Sequence, residues 1–151
     1  MNKGTKIALG ILAALCLVGI IGAWSVLKNA NRVLDKAKED AVVAGNEVLA
    51  LLGGSWEYEA IALRTSPEFL TKEDAQRQFD AWKSQFGPLV GGNVQVARFQ
   101  VDSEDMGSPT LVADLTSRAE FEEGMADVTM TLTREPNNSW MLAEFEVRPA
   151  D

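Results

Sequence analysis

The chain has no histidine, one cysteine and one tyrosine among its 151 residues. Without histidine, the commonest general base and metal ligand are missing, together with every serine–histidine or cysteine–histidine nucleophile. A single cysteine cannot form a disulfide within the chain. Cys16 follows Leu15 rather than a small residue, so we expect an unmodified thiol instead of a lipidated one. We therefore predict no catalytic residue and no bound metal or cofactor.

Charge is absent from one long segment, residues 7–27, which are otherwise almost entirely apolar. About 20 apolar residues in a helix cross a bilayer. The run exceeds the roughly 7–15 apolar residues of a signal peptide. Trp24 lies where an interfacial aromatic side chain belongs. We predict a short tail at 1–6, a retained transmembrane helix at 7–27 and a soluble domain at 28–151, with cleavage after Ala23 as the alternative.

The charges divide unevenly along the chain. Three of the 14 basic residues and none of the 22 acidic residues lie in 1–28, so residues 29–151 carry a net charge of −11. Such a domain repels nucleic acid and anionic lipid headgroups, which excludes nucleic acid as an expected partner. Lys3 and Lys6 favour an inside N-terminus, although Lys28 and the basic residues after it oppose this. We expect a bacterial inner-membrane protein with an extracytoplasmic, periplasmic domain.

Small residues mark one face of the predicted membrane helix. Gly19 and Ala23 are four residues apart, a spacing that lets a second membrane helix approach closely. Together with Trp24 they are the candidate partner-binding residues within the membrane. The expected partners are the membrane itself and other membrane-protein subunits.

Residues 32–86 have the periodicity of helices. A helix is predicted over 32–52 and a short second helix or turn over 55–61. Ser66 and Pro67 have the character of a helix start, and a third helix is predicted from Thr71 to the stop at 87–88. The apolar positions expected to face a core are Val33, Ala37, Ala41, Ala44, Val48, Leu52, Trp56, Ile61, Leu63, Ala75, Phe79, Trp82 and Phe86.

From residue 94 onward the apolar period changes to two, which is typical of strands. Strands are predicted from 94, over 110–121, and on either side of a turn near 136–138, with a tight turn at 122–124. One-sided alternation predicts an antiparallel sheet with one covered face. We predict an α+β fold, with helices covering a curved sheet of about four strands. The core positions of the last two strands are Ala126, Val128, Met130, Leu132, Met141, Ala143, Phe145 and Val147.

Several local sequences are similar to small bacterial membrane-anchored domains of the NTF2-like, cystatin-like superfamily. They lie at 54–70, 86–89, 119–124, 128–132 and 140–145. The resemblance implies a curved sheet wrapped on a long helix. A weaker resemblance is to the cytochrome oxidase assembly family, whose members also carry one N-terminal membrane helix. Enzymes of the NTF2-like superfamily place an Asp or His base and a Tyr in a helix–sheet cavity. Here Tyr58 falls in an early helix, so the resemblance does not extend to catalysis.

Two remaining features have candidate chemistry. Residues 102–107 are acidic, but Met106 and Ala113 stand where a calcium loop requires ligands, which favours a solvated loop. Trp140 is out of phase with the apolar positions after it, so we expect an exposed indole that docks a partner. We therefore predict a non-catalytic, membrane-anchored accessory or interaction subunit. The alternative is a module that binds a small ligand in the helix–sheet cavity.

Overall fold

The computed structural model describes the backbone of residues 3–102, 110–134 and 139–150, with side chains from residue 29 onward. It divides into two compact units, Met1–Ala37 and Lys38–Asp151. Three α-helices are present in the described residues: α1 (Lys3–Ser55), α2 (Tyr58–Ile61) and α3 (Lys72–Phe86). A short 3-10 turn, Ala62–Arg64, follows α2. The predicted membrane helix at 7–27 falls where no side chain is described.

Within the described ranges, five antiparallel strands form one sheet. They are β1 (Leu89–Gly91), β2 (Gln95–Asp102), β3 (Thr110–Phe121), β4 (Gly124–Arg134) and β5 (Met141–Pro149). The order is β1-β3-β4-β5, and β2 pairs with β3 beyond the end of β1. The α+β class and the helix-covered antiparallel sheet are confirmed. The strand count is five because three residues after Pro88 pair with the end of β3.

Helix α1 lies directly on the sheet through a face of small and apolar residues. A Cβ built on Gly45 collides with Leu115 Cδ1 and comes within 3.0 Å of Val94 Cγ2, so glycine permits this close approach. The Asn46 side chain accepts a hydrogen bond from the Val94 backbone at 3.0 Å, which fixes the start of β2. The buried residues of α1 on this face are Ala41, Val48, Leu49 and Leu52.

Aromatic side chains fill the interface between α3 and the sheet. Trp82 of α3 contacts Phe145 of β5 at a ring distance of 5.7 Å. Trp56 lies 5.6 Å from Phe121 and 6.1 Å from Trp82. Its indole Nε1 donates a hydrogen bond to the Gly87 carbonyl at 2.8 Å, which links the end of α1 to the end of α3. The side chains themselves therefore occupy the helix–sheet interface where a ligand cavity was predicted.

Local signals identify the ends of α3 correctly. Thr71 caps its N-terminus by accepting the Asp74 backbone N–H at 3.3 Å. At the other end, the Gly87 N–H donates to the Lys83 carbonyl, and Gly87 has a φ of 68°, a left-handed conformation that glycine adopts without strain. The predicted stripe Ala75, Phe79, Trp82 and Phe86 is buried.

Three predicted core positions or helix starts are wrong. Val33 and Leu63 are 68% and 94% exposed. Ser66 does not begin a helix: it forms a turn in which its carbonyl accepts the Phe69 N–H at 3.1 Å. Its backbone N–H instead donates to the Leu142 carbonyl of β5 at 2.8 Å, which draws residues 65–66 to the sheet edge.

Strand β5 contains a register shift. Thr131 pairs with Glu144, but the next residue of β4, Leu132, pairs with Leu142, so Ala143 is an extra residue on β5. Such a bulge reverses the side-chain alternation on one side of it. Leu142 is therefore fully buried, whereas Met141, which was predicted to face the core, is intermediate.

Candidate functional site: an acidic cleft at strand β5

The open face of the sheet carries a cleft of about 520 Å³. Its floor crosses three strands, and its wall is the segment that precedes α3 together with one side chain of α3. The lining residues are Glu68, Phe69, Leu70, Gln78, Asp114, Leu115, Thr116, Thr129, Met130, Thr131, Ala143, Glu144, Phe145 and Glu146. The polar residues of the floor come from the outward positions of the strands, opposite the face that α1 covers.

Sheet register places the polar floor residues in two rows. One row is Asp114, Thr131 and Glu144, and the other is Thr116, Thr129 and Glu146. Directly opposed side chains on neighbouring strands lie about 4.5–5.5 Å apart at Cβ. The Thr131 hydroxyl donates to the Asp114 carboxylate at 3.0 Å, which holds that carboxylate in place.

The cleft is acidic. Its lining contains four carboxylates, Glu68, Asp114, Glu144 and Glu146, and no lysine or arginine. Arg148, outside the lining, donates to both oxygens of Glu146 at 2.8 and 2.9 Å. That hydrogen-bonded carboxylate raises the pKa of the exposed Arg148 guanidinium above its usual value. Glu68 and Glu144 make no ion pair with the described residues, so their charge faces the cleft uncompensated.

The wall of the cleft is anchored at both ends. Thr65 forms an isolated parallel bridge with Leu142, and Glu68, Phe69 and Leu70 then line the cleft together with residues 143–146 of β5. Phe69 is 9% exposed and stacks on Tyr58 at 6.4 Å, which ties the wall to α2. Leu70 remains 44% exposed at the rim. The wall thus offers an apolar contact next to the acidic floor.

Of the sequence-predicted site residues, Trp140 is the one whose side chain is described, and it does not line this cleft. Gly19, Ala23 and Trp24 lie outside the residues whose side chains are described. Trp140 is 7% exposed, so the prediction of an exposed docking indole is wrong. The bulge at Ala143 turns Trp140 to the covered face, where its ring contacts Phe99 at 6.1 Å and the Arg134 guanidinium at 5.9 Å.

The surroundings of Trp140 are polar as well as aromatic. Arg134 also pairs with Asp40 of α1 at 3.5 Å, and Lys38 lies 5.7 Å from the centre of the Phe99 ring. The indole Nε1 is buried and has no hydrogen-bond partner among the described residues. These contacts make Trp140 part of the junction between α1 and the sheet.

The cleft offers hydrogen-bond acceptors to an organic cation. Among the residues that the structure describes, no three carboxylates, thiols or imidazoles come together as metal ligands. The acidic segment with partial likeness to a calcium loop includes residues 103–109, which lie outside the described part of the chain. Spread carboxylates and threonine hydroxyls accept hydrogen bonds from ammonium or guanidinium groups.

The cleft was missed because its carboxylates come from separate segments of the chain. Glu144 and Glu146 alternate with core residues on β5, and this alternation is enough to predict an acidic face on that strand from the sequence. Glu68 and Asp114 join them only through the register of β3, β4 and β5 and through the turn at Ser66. No local pattern encodes that convergence.

Within the side chains described, no helix has the length and apolar content required to cross a bilayer. Comparison of the chain with protein-family models, curated proteins and solved structures finds no match.

Proposed function

We propose that this protein is a non-catalytic, membrane-tethered subunit that binds another protein, with its folded domain on the periplasmic side of a bacterial inner membrane. The single observation that carries the proposal is the extent of α1, one helix from Lys3 to Ser55. It includes both the apolar run at 7–27 and the face that buries Ala41, Val48 and Leu52 against the sheet. Tethering raises the effective concentration of the domain near a membrane partner.

The fold supports assignment to the NTF2-like, cystatin-like group as part of this proposal. Helices precede the sheet in the chain and cover one of its faces, as the sequence resemblance implies. The other face is polar and open, and the acidic cleft lies on it. A covered face builds the core, and an exposed one is available to a partner.

Binding of a small ligand is the second candidate. The cleft of about 520 Å³ supports it, because ligand sites commonly measure roughly 300–1,000 Å³. The site for such a ligand is the open face rather than the helix–sheet interface, which Trp56, Trp82 and Phe145 fill.

The membrane assignment is tested by expressing the full chain with a tag after Asp151. We expect the protein to stay with membranes through an alkaline carbonate wash and to enter solution only with detergent. In mild detergents it should migrate in a complex larger than its own micelle. Release of the protein into the carbonate supernatant, or migration as a monomer in several detergents, would contradict the proposal.

A matched pair of variants tests whether the small-residue face binds a partner helix. Gly19→Ile places a branched side chain on the proposed contact face, whereas Ile21→Val changes the helix two residues away. We expect the first variant to lose the larger complex and the second to retain it. If both variants retain the larger complex, or both lose it, the assignment of Gly19 and Ala23 to the interface is wrong.

A further inference from the structure

We propose that the free edge of β5 binds an extended basic segment of a partner protein as an added strand, with basic side chains in the acidic cleft. The inference rests on the proposed function only in that the partner is a protein. Two independent features carry it: an unpaired strand edge and an adjoining cleft of a single charge sign.

The edge is unpaired over most of its length. In the described chain, β5 has β4 as its one strand neighbour, and its other side contacts the backbone only where Ser66 N–H meets the Leu142 carbonyl. No other backbone hydrogen bond to this edge is made by the described residues, and Glu68, Phe69 and Leu70 line the cleft beside it. An unpaired row of backbone donors and acceptors is a template for an incoming strand. Residues 143–148 provide about 20 Å of such edge at about 3.3 Å per residue.

The short bridge at Leu142 fixes where an added strand ends. Thr65 already occupies the strand position next to Leu142. An incoming segment therefore extends from that point towards Pro149, whose lack of a backbone N–H closes the other end. The bulge lies at the Ser66 end, so β5 pairs regularly with β4 from Glu144 to Pro149.

The outer edge of β2 is less suited to the same role. Its register shifts between Val96 and Arg98, in the first half of the strand. A bulge within an edge strand bends it and interrupts pairing. Both strands carry one arginine, but Arg148 of β5 is paired with Glu146, and Glu144 of β5 lines the cleft.

Charge selects the incoming sequence. Successive side chains of a strand point to opposite faces, so residues two apart in the added segment lie over the cleft together. They meet Glu68, Asp114 and Glu144, which form no ion pair with the described residues, whereas Glu146 already accepts two hydrogen bonds from Arg148. Lysine or arginine at alternate positions matches this pattern, and an acidic segment is repelled. An apolar residue contacts the exposed part of Leu70.

Synthetic peptides test the two features separately. The full chain in an uncharged detergent is titrated with a peptide of alternating lysine and valine. A second peptide has the same sequence with every other backbone amide N-methylated, which keeps the charge and removes the hydrogen bonds to an edge. We expect the first peptide to bind at least tenfold more tightly than the N-methylated peptide and than spermidine. It should also protect from hydrogen exchange those amides of 143–148 that point away from β4, which alternate along the strand.

A pair of charge reversals tests the cleft. Glu144→Lys reverses a charge in the cleft lining. Glu120→Lys reverses a charge on the same face of the sheet but outside the cleft. We expect at least a tenfold loss of affinity for the lysine–valine peptide in the first variant and less than a twofold change in the second. Unchanged melting temperatures show that both variants are folded.

Equal affinity for the methylated peptide, or for spermidine, overturns strand addition. Equal effects of the two charge reversals overturn the assignment of the cleft. These results concern the purified chain, so they are separate from the membrane-extraction test. If the protein binds the peptide but is released from membranes by the wash, the proposed edge site stands and the proposed membrane tether is wrong.

Discussion

At the scale of single residues, Gly45 sets the distance between α1 and the sheet. Its hypothetical Cβ meets Leu115 and Val94, so any side chain there must push apart a contact that is fully buried. Gly54 belongs to the same helix and has nothing within 4 Å of its Cβ position. The two glycines therefore have opposite roles, one required by close contact and one tolerated at an exposed site.

We expect Gly45→Ala to destabilise the protein by about 1–3 kcal/mol through overpacking. The helix-propensity gain of roughly 1 kcal/mol offsets part of that cost. Gly54→Ala gives the same gain without the clash, so it should leave stability unchanged or raise it. Thermal unfolding of both variants in one detergent measures the difference. A Gly45→Ala protein that melts no lower than Gly54→Ala would contradict the close contact.

Residue burial could be predicted in elements that are packed against neighbouring elements, and it could not be predicted in segments that no other element covers. Ala126, Val128, Met130 and Leu132 follow strict alternation on a central strand and are all buried. Leu63 is equally apolar but stands in a 3-10 turn with no element over it, so it is 94% exposed. Hydrophobicity alone does not tell these environments apart.

At the scale of elements, the bulge in β5 accounts for the main error in the sequence interpretation. The alternation after Ala143 holds, with Phe145 and Val147 buried, but before it the phase is reversed. A bulge requires no particular residue type, so the sequence does not reveal it. The result places Trp140 in the covered face instead of on the surface.

Truncation of Trp140 should therefore be costly to folding. We expect Trp140→Ala to lower stability by about 3–5 kcal/mol, the usual range for a buried aromatic residue. Leu63→Ala removes a side chain that is 94% exposed and should change stability by less than about 0.5 kcal/mol. Chemical denaturation of the two variants provides the comparison. A denaturation midpoint close to that of the wild type for Trp140→Ala would contradict the burial of the indole.

Whole strands and helices were easier to predict than their connections. The bounds of β3 and the turn before Gly124 agree with the pattern because an alternating run and a glycine define them. Strand β1 was missed because three residues carry too little periodicity, and Ser66 was misassigned because its partner, Leu142, is far along the chain. Long-range pairing decides both.

At the scale of the whole molecule, the proposed tether depends on the apolar run within α1. We expect Leu17→Arg, in the middle of that run, to reduce the membrane-bound fraction. A central arginine costs about 2.5–3.5 kcal/mol in a transmembrane helix. Val33→Arg, on an exposed position of the same helix, is the control and should leave the fraction unchanged. Membrane sedimentation after a carbonate wash gives the readout. Full retention of the Leu17→Arg protein would argue against a spanning helix.

The carboxylates of β5 also determine how two copies of this protein meet. Exposed strand edges tend to pair with their own kind, which leads to aggregation. A symmetric antiparallel pairing centred on Phe145 sets Glu144 of each copy opposite Glu146 of the other, and like charges directly opposite are destabilising. Each copy adds a net charge of −11 from residues 29–151. The same carboxylates that attract a basic segment therefore oppose edge-to-edge self-association of this protein.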